Sequence, residues 1–106
     1  MLVWFPDFPS ISIDDVSNGK VIEGDSYTAE CIVDANPPAD VYWLYPSNVN
    51  VTVEDTLLTI DNADRHHAVN YTCVANNTLH NGDTGAAEFT VTLGVQCEYY
   101  SLMYMT

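Results

Sequence analysis

Basic residues are nearly missing from this chain of 106 residues: Lys20 and Arg65 stand alone against fifteen Asp and Glu, for a formal net charge of −13. Nucleic acid, heparin-like glycans and anionic lipid are held by clustered Lys and Arg that neutralise phosphate or sulfate, so none of these is expected as a partner. The acidity reads first as a solubility device, with a basic partner or bound cations as the alternatives. No apolar run approaches the roughly 20 residues that cross a bilayer, so no membrane insertion is expected from this segment. The start, MLVWFPDFPS, lacks the positive residues that open a signal peptide and is broken by two prolines. Catalytic signatures are missing as well. There is no nucleophile-elbow spacing, no phosphate-cradling glycine loop and no zinc-type Cys/His spacing, so neither an enzyme nor a cofactor is expected. One ordinary domain with one core is what this length allows.

What the chain does contain is strand periodicity, with no helical stretch and no internal repeat. Ile11 and Ile13 alternate with polar neighbours over residues 9–15. Ser17-Asn18-Gly19-Lys20 is a turn, Val21 and Ile22 form a short segment, and Glu23-Gly24-Asp25 turns again. Tyr27, Ala29, Cys31 and Val33 then share one face of a strand, and Thr28, Glu30 and Ile32 the other. Asn36-Pro37-Pro38 ends that strand, because proline donates nothing to a ladder. The next strand turns Val41, Trp43 and Tyr45 inward and Tyr42 and Leu44 outward. Only about ten residues separate it from a strand with Leu58 and Ile60 inward. From Val69 to Asn76, Tyr71, Cys73 and Ala75 face in. Residues 77–85 carry hairpin-loop chemistry, and the last strand places Ala87, Phe89, Val91 and Leu93 inward.

Cys31, Trp43, Leu58, Tyr71 and Cys73 fall in the order Cys…Trp…Leu-x-Ile…Tyr-x-Cys, with Trp43 twelve residues after Cys31 and Tyr71 two before Cys73. In this order the chain resembles an immunoglobulin-superfamily domain of the I-set or C2-set kind. The resemblance implies an all-β fold, a two-sheet antiparallel immunoglobulin-like sandwich of about seven strands in Greek-key order. It also implies a Cys31–Cys73 disulfide between strands B and F, with the Trp43 indole beside the sulfurs and the Tyr71 hydroxyl capping the E–F corner. The gap between strands C and E is too short for the extra strands of a variable-type domain. A disulfide closing about 43 residues stabilises by about 4 kcal/mol and implies an oxidising compartment.

The expected organisation is a linker-like segment at 1–8, an Ig-like domain at 9–95 and a tail at 96–106. The start and the FTVTLGVQ end of the last strand resemble the joins of tandem-Ig receptors, so the chain reads as one piece of a longer extracellular protein with neighbouring Ig domains. The tail has neither alternation nor turn chemistry and reads as a truncated junction, with a native end or extraneous sequence as the alternatives. Cys97 within it is either an intermolecular thiol or a by-product of that tail.

Three N-glycosylation sequons begin at Asn50, Asn70 and Asn76, each completed by Thr, and support a cell-surface or secreted setting. Asn70 and Asn76 share the outward parity of strand F, about 20 Å apart at strand rise. Glycans there would flank the outer face of the G-F-C sheet and leave its middle open. That middle, with Tyr42, Leu44 and Val74 pointing outward, is the candidate interface. The family form places Asp four residues before the corner tyrosine and Gly two before it, where this chain has His67 and Val69. Adjacent His66 and His67 on a strand would face opposite ways, and Asp14, Asp15, Asp61 and Asp64 make no ligand set, so no metal is expected. Sialic-acid recognition in the corresponding Ig receptors uses a strand-F arginine that this chain lacks. The reading is an extracellular protein-recognition or cell-adhesion module that binds a protein ligand or itself. The alternatives are a soluble secreted or matrix Ig protein and a structural spacer.

Overall fold

The computed structural model describes residues 7–15 and 17–97. The first six residues, most of the linker-like segment, and the tail beyond Cys97 lie outside the described residues. Nine strands follow one another among those described: β1 (Asp7–Asp15), β2 (Lys20–Ile22), β3 (Tyr27–Asn36), β4 (Asp40–Leu44), β5 (Thr52–Glu54), β6 (Leu57–Ile60), β7 (Asn70–Thr78), β8 (Thr84–Thr92) and β9 (Gly94–Gln96). One antiparallel sheet has the order β1-β3-β6-β5, and a second the order β4-β7-β8. A short parallel pair, β2-β9, continues beside them. The Cys31–Cys73 disulfide joins β3 to β7 and so ties the two antiparallel sheets together. The expected sandwich is the observed one.

Alternation builds the core. Tyr27, Ala29 and Cys31 from β3, Leu58 and Ile60 from β6, and Tyr71, Cys73 and Ala75 from β7 are all buried, with Trp43 and Leu93 closing the layer. The polar atoms that Trp43 and Tyr27 take into this layer find partners, as burial demands. The Trp43 indole donates to the Thr56 carbonyl at 2.9 Å. The Tyr27 hydroxyl donates to Asp15 Oδ2 at 2.6 Å, and the Gly19 amide donates to the same oxygen at 2.7 Å. That carboxylate fixes the turn between β1 and β2, where Asn18 and Gly19 both take positive φ, 54° and 76°. Glycine carries such a φ without steric cost.

Several details differ from the alternation reading. β1 begins at Asp7, inside the segment expected to be linker, with a register shift between Asp7 and Ser10. β5 is an additional strand, pairing Val53 with Leu58 in the stretch left between two strands. The β7–β8 loop is confined to residues 79–83, tightened by a 2.7 Å bond from the Leu79 amide to the Asp83 carbonyl. Tyr45 lies past the end of β4 and is exposed, although its ring still meets that of Tyr71 with centroids 6.4 Å apart. Phe89 has inward parity, opposite Cys73, yet is 46% exposed. It sits where β1 and β8 approach without a hydrogen-bonded ladder, beside an open cleft of about 290 Å³ lined by Ile13, Val91 and their neighbours.

Candidate recognition face and the E–F corner

The outer face of the β4-β7-β8 sheet is laid out in cross-strand rows. Asp40, Asn76 and Ala86 form one, Tyr42, Val74 and Glu88 the next, and Leu44, Thr72 and Thr90 a third. Asn70 and Thr92 stand beyond them. Tyr42 is 44% exposed and Leu44 51%, side by side on one strand, as their parity requires. Two threonine-based bonds stiffen the neighbouring rows: Thr72 Oγ1 and Thr90 Oγ1 are 2.8 Å apart, and Thr92 Oγ1 donates to Asn70 Oδ1 at 2.8 Å.

Val74 does not belong to the accessible part of this face. It has the outward parity expected of it but is only 7% exposed. The reason is position: a short side chain on the middle strand lies in register between Tyr42 and Glu88, two longer ones. The apolar contact area therefore consists of Tyr42 and Leu44, with Val74 as its floor.

The sequon asparagines occupy three different settings. Asn70 is exposed, and its bond to Thr92 uses Oδ1, which leaves out the Nδ2 that a glycan would take. Asn76 is half-buried near the far end of β7. Asn50 is exposed in the connection from β4 to β5. Only the Tyr42 and Leu44 rows separate the rows of Asn76 and Asn70.

The corner before β7 is built in a way the alternation pattern did not reveal. His66 and His67 lie in a 3₁₀ turn, Arg65–His67, rather than on a strand. Asp64 caps this turn: its Oδ1 accepts from the His66 amide at 2.8 Å, and its own amide donates to His67 Nδ1 at 3.0 Å. Since Nδ1 accepts, the ring proton sits on Nε2, which donates to the Asn50 carbonyl at 3.0 Å. The Tyr71 hydroxyl donates to the His67 carbonyl at 2.7 Å, the corner bond expected of that tyrosine. His67 is thus a buried staple between this corner and the connection that carries the Asn50 sequon. Its spacing, three residues after a capping Asp and four before the corner Tyr, was the available signal.

Electrostatics follow the burial. Burial, reinforced by the charge of Asp64, pushes the Tyr71 hydroxyl up to about 12. Burial and then the Asp15 carboxylate raise Tyr27 further still. The hydrogen bond from the His66 amide holds Asp64 below the usual carboxylate range, against a smaller opposing effect of desolvation. Among the described residues no three His, Cys, Asp or Glu gather to hold a metal ion. Cys97 is an exposed free thiol.

A sandwich joined through Cys31 and Cys73, with Trp43 in its core and Tyr71 at its corner, is the geometry to which known families can be compared. The model of the immunoglobulin-domain family matches residues 9–77. The chain belongs to the immunoglobulin-domain family. This immunoglobulin domain is 30% identical over 78 residues to mouse sialic acid-binding Ig-like lectin 10, covering 71% of the chain and 11% of that protein. It is 34% identical over 95 residues to mouse hemicentin-1, covering 82% of the chain and 2% of that protein. The chain therefore spans a small fraction of the curated relatives it matches. Among solved structures it is similar to the full ectodomain of mouse nectin-like molecule 4, with TM-score 0.67 and 24% identity over 88% of this chain and 32% of that one. It is also similar to a chimeric titin Z1Z2 carrying a KLER peptide from decorin, with TM-score 0.66 and 22% identity over 90% of this chain and 100% of that one. At such identities these structures show the fold, which the family uses in very different proteins and which is not known for catalysis.

Proposed function

We propose that this immunoglobulin domain is an extracellular protein-recognition module, one unit of a longer tandem array, and that it meets its partner through the outer face of β4-β7-β8. The observation that carries the reading is the pair Tyr42 and Leu44. These are two large side chains about half exposed, adjacent on one strand of a rigid sheet. An aromatic next to an aliphatic residue suits an interface centre. The Cys31–Cys73 disulfide supports an oxidising compartment, and the exposed Asn50 and Asn70 sequons support passage through the secretory pathway. Single domains of this kind bind weakly and gain strength by repetition along an array. The relative whose name carries sialic-acid binding is matched over 11% of its length, and no arginine lies on β7, so that activity is not carried over.

The test is the double variant Tyr42→Asp/Leu44→Asp, displayed in multiple copies on beads and checked for an unchanged fold by thermal melting. Self-aggregation of the beads reads homophilic contact, and binding to cell surfaces reads a heterophilic partner. Loss of whichever signal the parent domain gives supports the face. A folded double variant that keeps full binding moves the contact to another surface of the domain, and a parent domain that gives neither signal leaves it as a structural spacer.

A further inference from the structure

We infer that the free edge of β4 accepts an extended, basic segment of a partner protein as a fourth strand of the β4-β7-β8 sheet. The inference rests on the reading of Tyr42 and Leu44 as a contact site and specifies what lies against them.

Each antiparallel sheet of the sandwich has two edges, and three of the four edge strands are protected. β1 carries Pro9 and a register shift between Asp7 and Ser10. β5 is only three residues long. β8 runs alongside β1, where the Phe8 ring fills the space that a Cβ on Gly85 would take. Irregularity, shortness and coverage are the usual ways in which proteins blunt a strand edge. β4 shows none of them. Its sequence, Asp-Val-Tyr-Trp-Leu, has no Lys, no Pro and no bulge. Among the described residues it pairs with β7 alone, and no other backbone bond reaches Asp40–Leu44. The chain then leaves through residues 45–51 for the opposite sheet, so it supplies no strand of its own on that side. In an antiparallel ladder alternate residues turn both N–H and C=O to the same side, which leaves a row of donors and acceptors facing outward from β4.

The chemistry of the occupant follows from what stands beside that row. Tyr42 and Leu44 offer apolar contact to alternate side chains of an added strand. Asp40 opens β4, and Glu88 shares the row of Tyr42. The two strong bases are elsewhere, Lys20 on β2 and Arg65 in the 3₁₀ turn. A strand arriving here meets Asp40 and no base, with Glu88 farther off on β8 beyond β7, on a chain of net charge −13. A second copy would bring the same charge, whereas a segment alternating basic and apolar residues complements it. Pro37 and Pro38 before β4 and Pro46 after it limit the segment to about five paired residues.

The test uses the full chain with its disulfide intact and a blocked peptide of alternating Lys and Val, about eight residues long. Amide hydrogen exchange is followed by NMR. The expected result is slowed exchange at alternate amides of Asp40–Leu44, absent with a Glu-Val peptide. A Lys-Val peptide N-methylated at alternate residues, which cannot complete the ladder, should bind about tenfold more weakly. Unchanged β4 exchange at millimolar peptide overturns the inference. So does equal binding by the methylated peptide, which means attraction without a ladder. β4 protection that grows with chain concentration in the absence of peptide makes a second copy the occupant and also overturns it. The face reading is tested separately. If Tyr42→Asp/Leu44→Asp abolishes partner binding while the peptide leaves β4 unprotected, the face stands and strand addition falls. If the peptide protects β4 while that variant keeps its partner, the edge stands and the face falls.

Discussion

The centre of the sandwich and its β1–β8 side obey the same alternation and end in opposite states. At the centre, Cys31, Leu58, Tyr71 and Cys73 point between the sheets and are almost completely buried. On the β1–β8 side Phe89 points the same way, in register with Cys73, and remains 46% exposed. What differs is the chain on the far side. β3 and β7 are interior strands of their sheets, so residues between them are covered from every direction. β1 and β8 are edge strands of opposite sheets that pass without a ladder, and the parallel β2-β9 pair closes only the end of that side. Inward direction is a property of one strand, whereas burial belongs to two sheets.

The largest test of the contrast is to remove the staple at the centre. Cys31→Ala with Cys73→Ala should cost about 4 kcal/mol of unfolding free energy in urea. Small domains have about 5–15 kcal/mol in total, so this variant should sit close to unfolding at body temperature. A loss below about 1 kcal/mol would mean that packing alone holds the centre and that the disulfide is secondary to it.

A smaller break comes at the corner next to that centre. Tyr71→Phe removes the bond to the His67 carbonyl and leaves a buried acceptor, which should cost about 1–2 kcal/mol. It also carries a pH signature. The fold raises the Tyr71 hydroxyl from 10.0 to about 12, so the folded state keeps a proton that the unfolded state loses first. Stability from this group is therefore complete below about pH 10 and declines as pH rises towards about 12, where an ionised hydroxyl can no longer donate. Urea midpoints measured across that window should fall less steeply in Tyr71→Phe than in the parent, while the raised Tyr27 keeps its own alkaline contribution. Parallel alkaline slopes in the two proteins would show that Tyr71 does not titrate with unfolding.

How far the sequence could be read follows the same division. Leu58, Tyr71 and the two core cysteines declared their places because each lies on a strand paired on both sides, where parity and burial coincide, and Trp43, on the edge strand β4, because its inward face meets the opposite sheet. Tyr42 and Leu44 were legible for the complementary reason: they have outward parity on an edge strand with nothing above them. Val74 and Phe89 were misread in opposite senses. Val74 faces out but lies between Tyr42 and Glu88, and Phe89 faces in but lies at an open side. Both outcomes depend on residues more than ten positions away, which a period of two along one strand cannot contain. The role of His67 escaped the sequence because it rests on both ring nitrogens and the carbonyl, which reach Asp64, Asn50 and Tyr71 at once. A family pattern that expects Asp at that position registers only a substitution.

The smallest expected effect decides whether the open side is real in solution. Half-exposed Phe89 forfeits only part of the transfer free energy of a phenyl ring, so Phe89→Ala should cost about 1 kcal/mol or less in urea unfolding. The same substitution of a phenylalanine packed at the centre would cost about 3–5 kcal/mol. A cost in that upper range would mean that the ring is covered in solution and that the cleft beside Ile13 and Val91 is filled. The distinction drawn between the two regions would then fail. A cost near zero, with near-normal exchange of the β1 amides, would sharpen it. The inward face of β8 would then contribute to stability through Val91, with Leu93 just past its end, and Phe89 would be a ring that the sequence points at the core but the sheets never enclose.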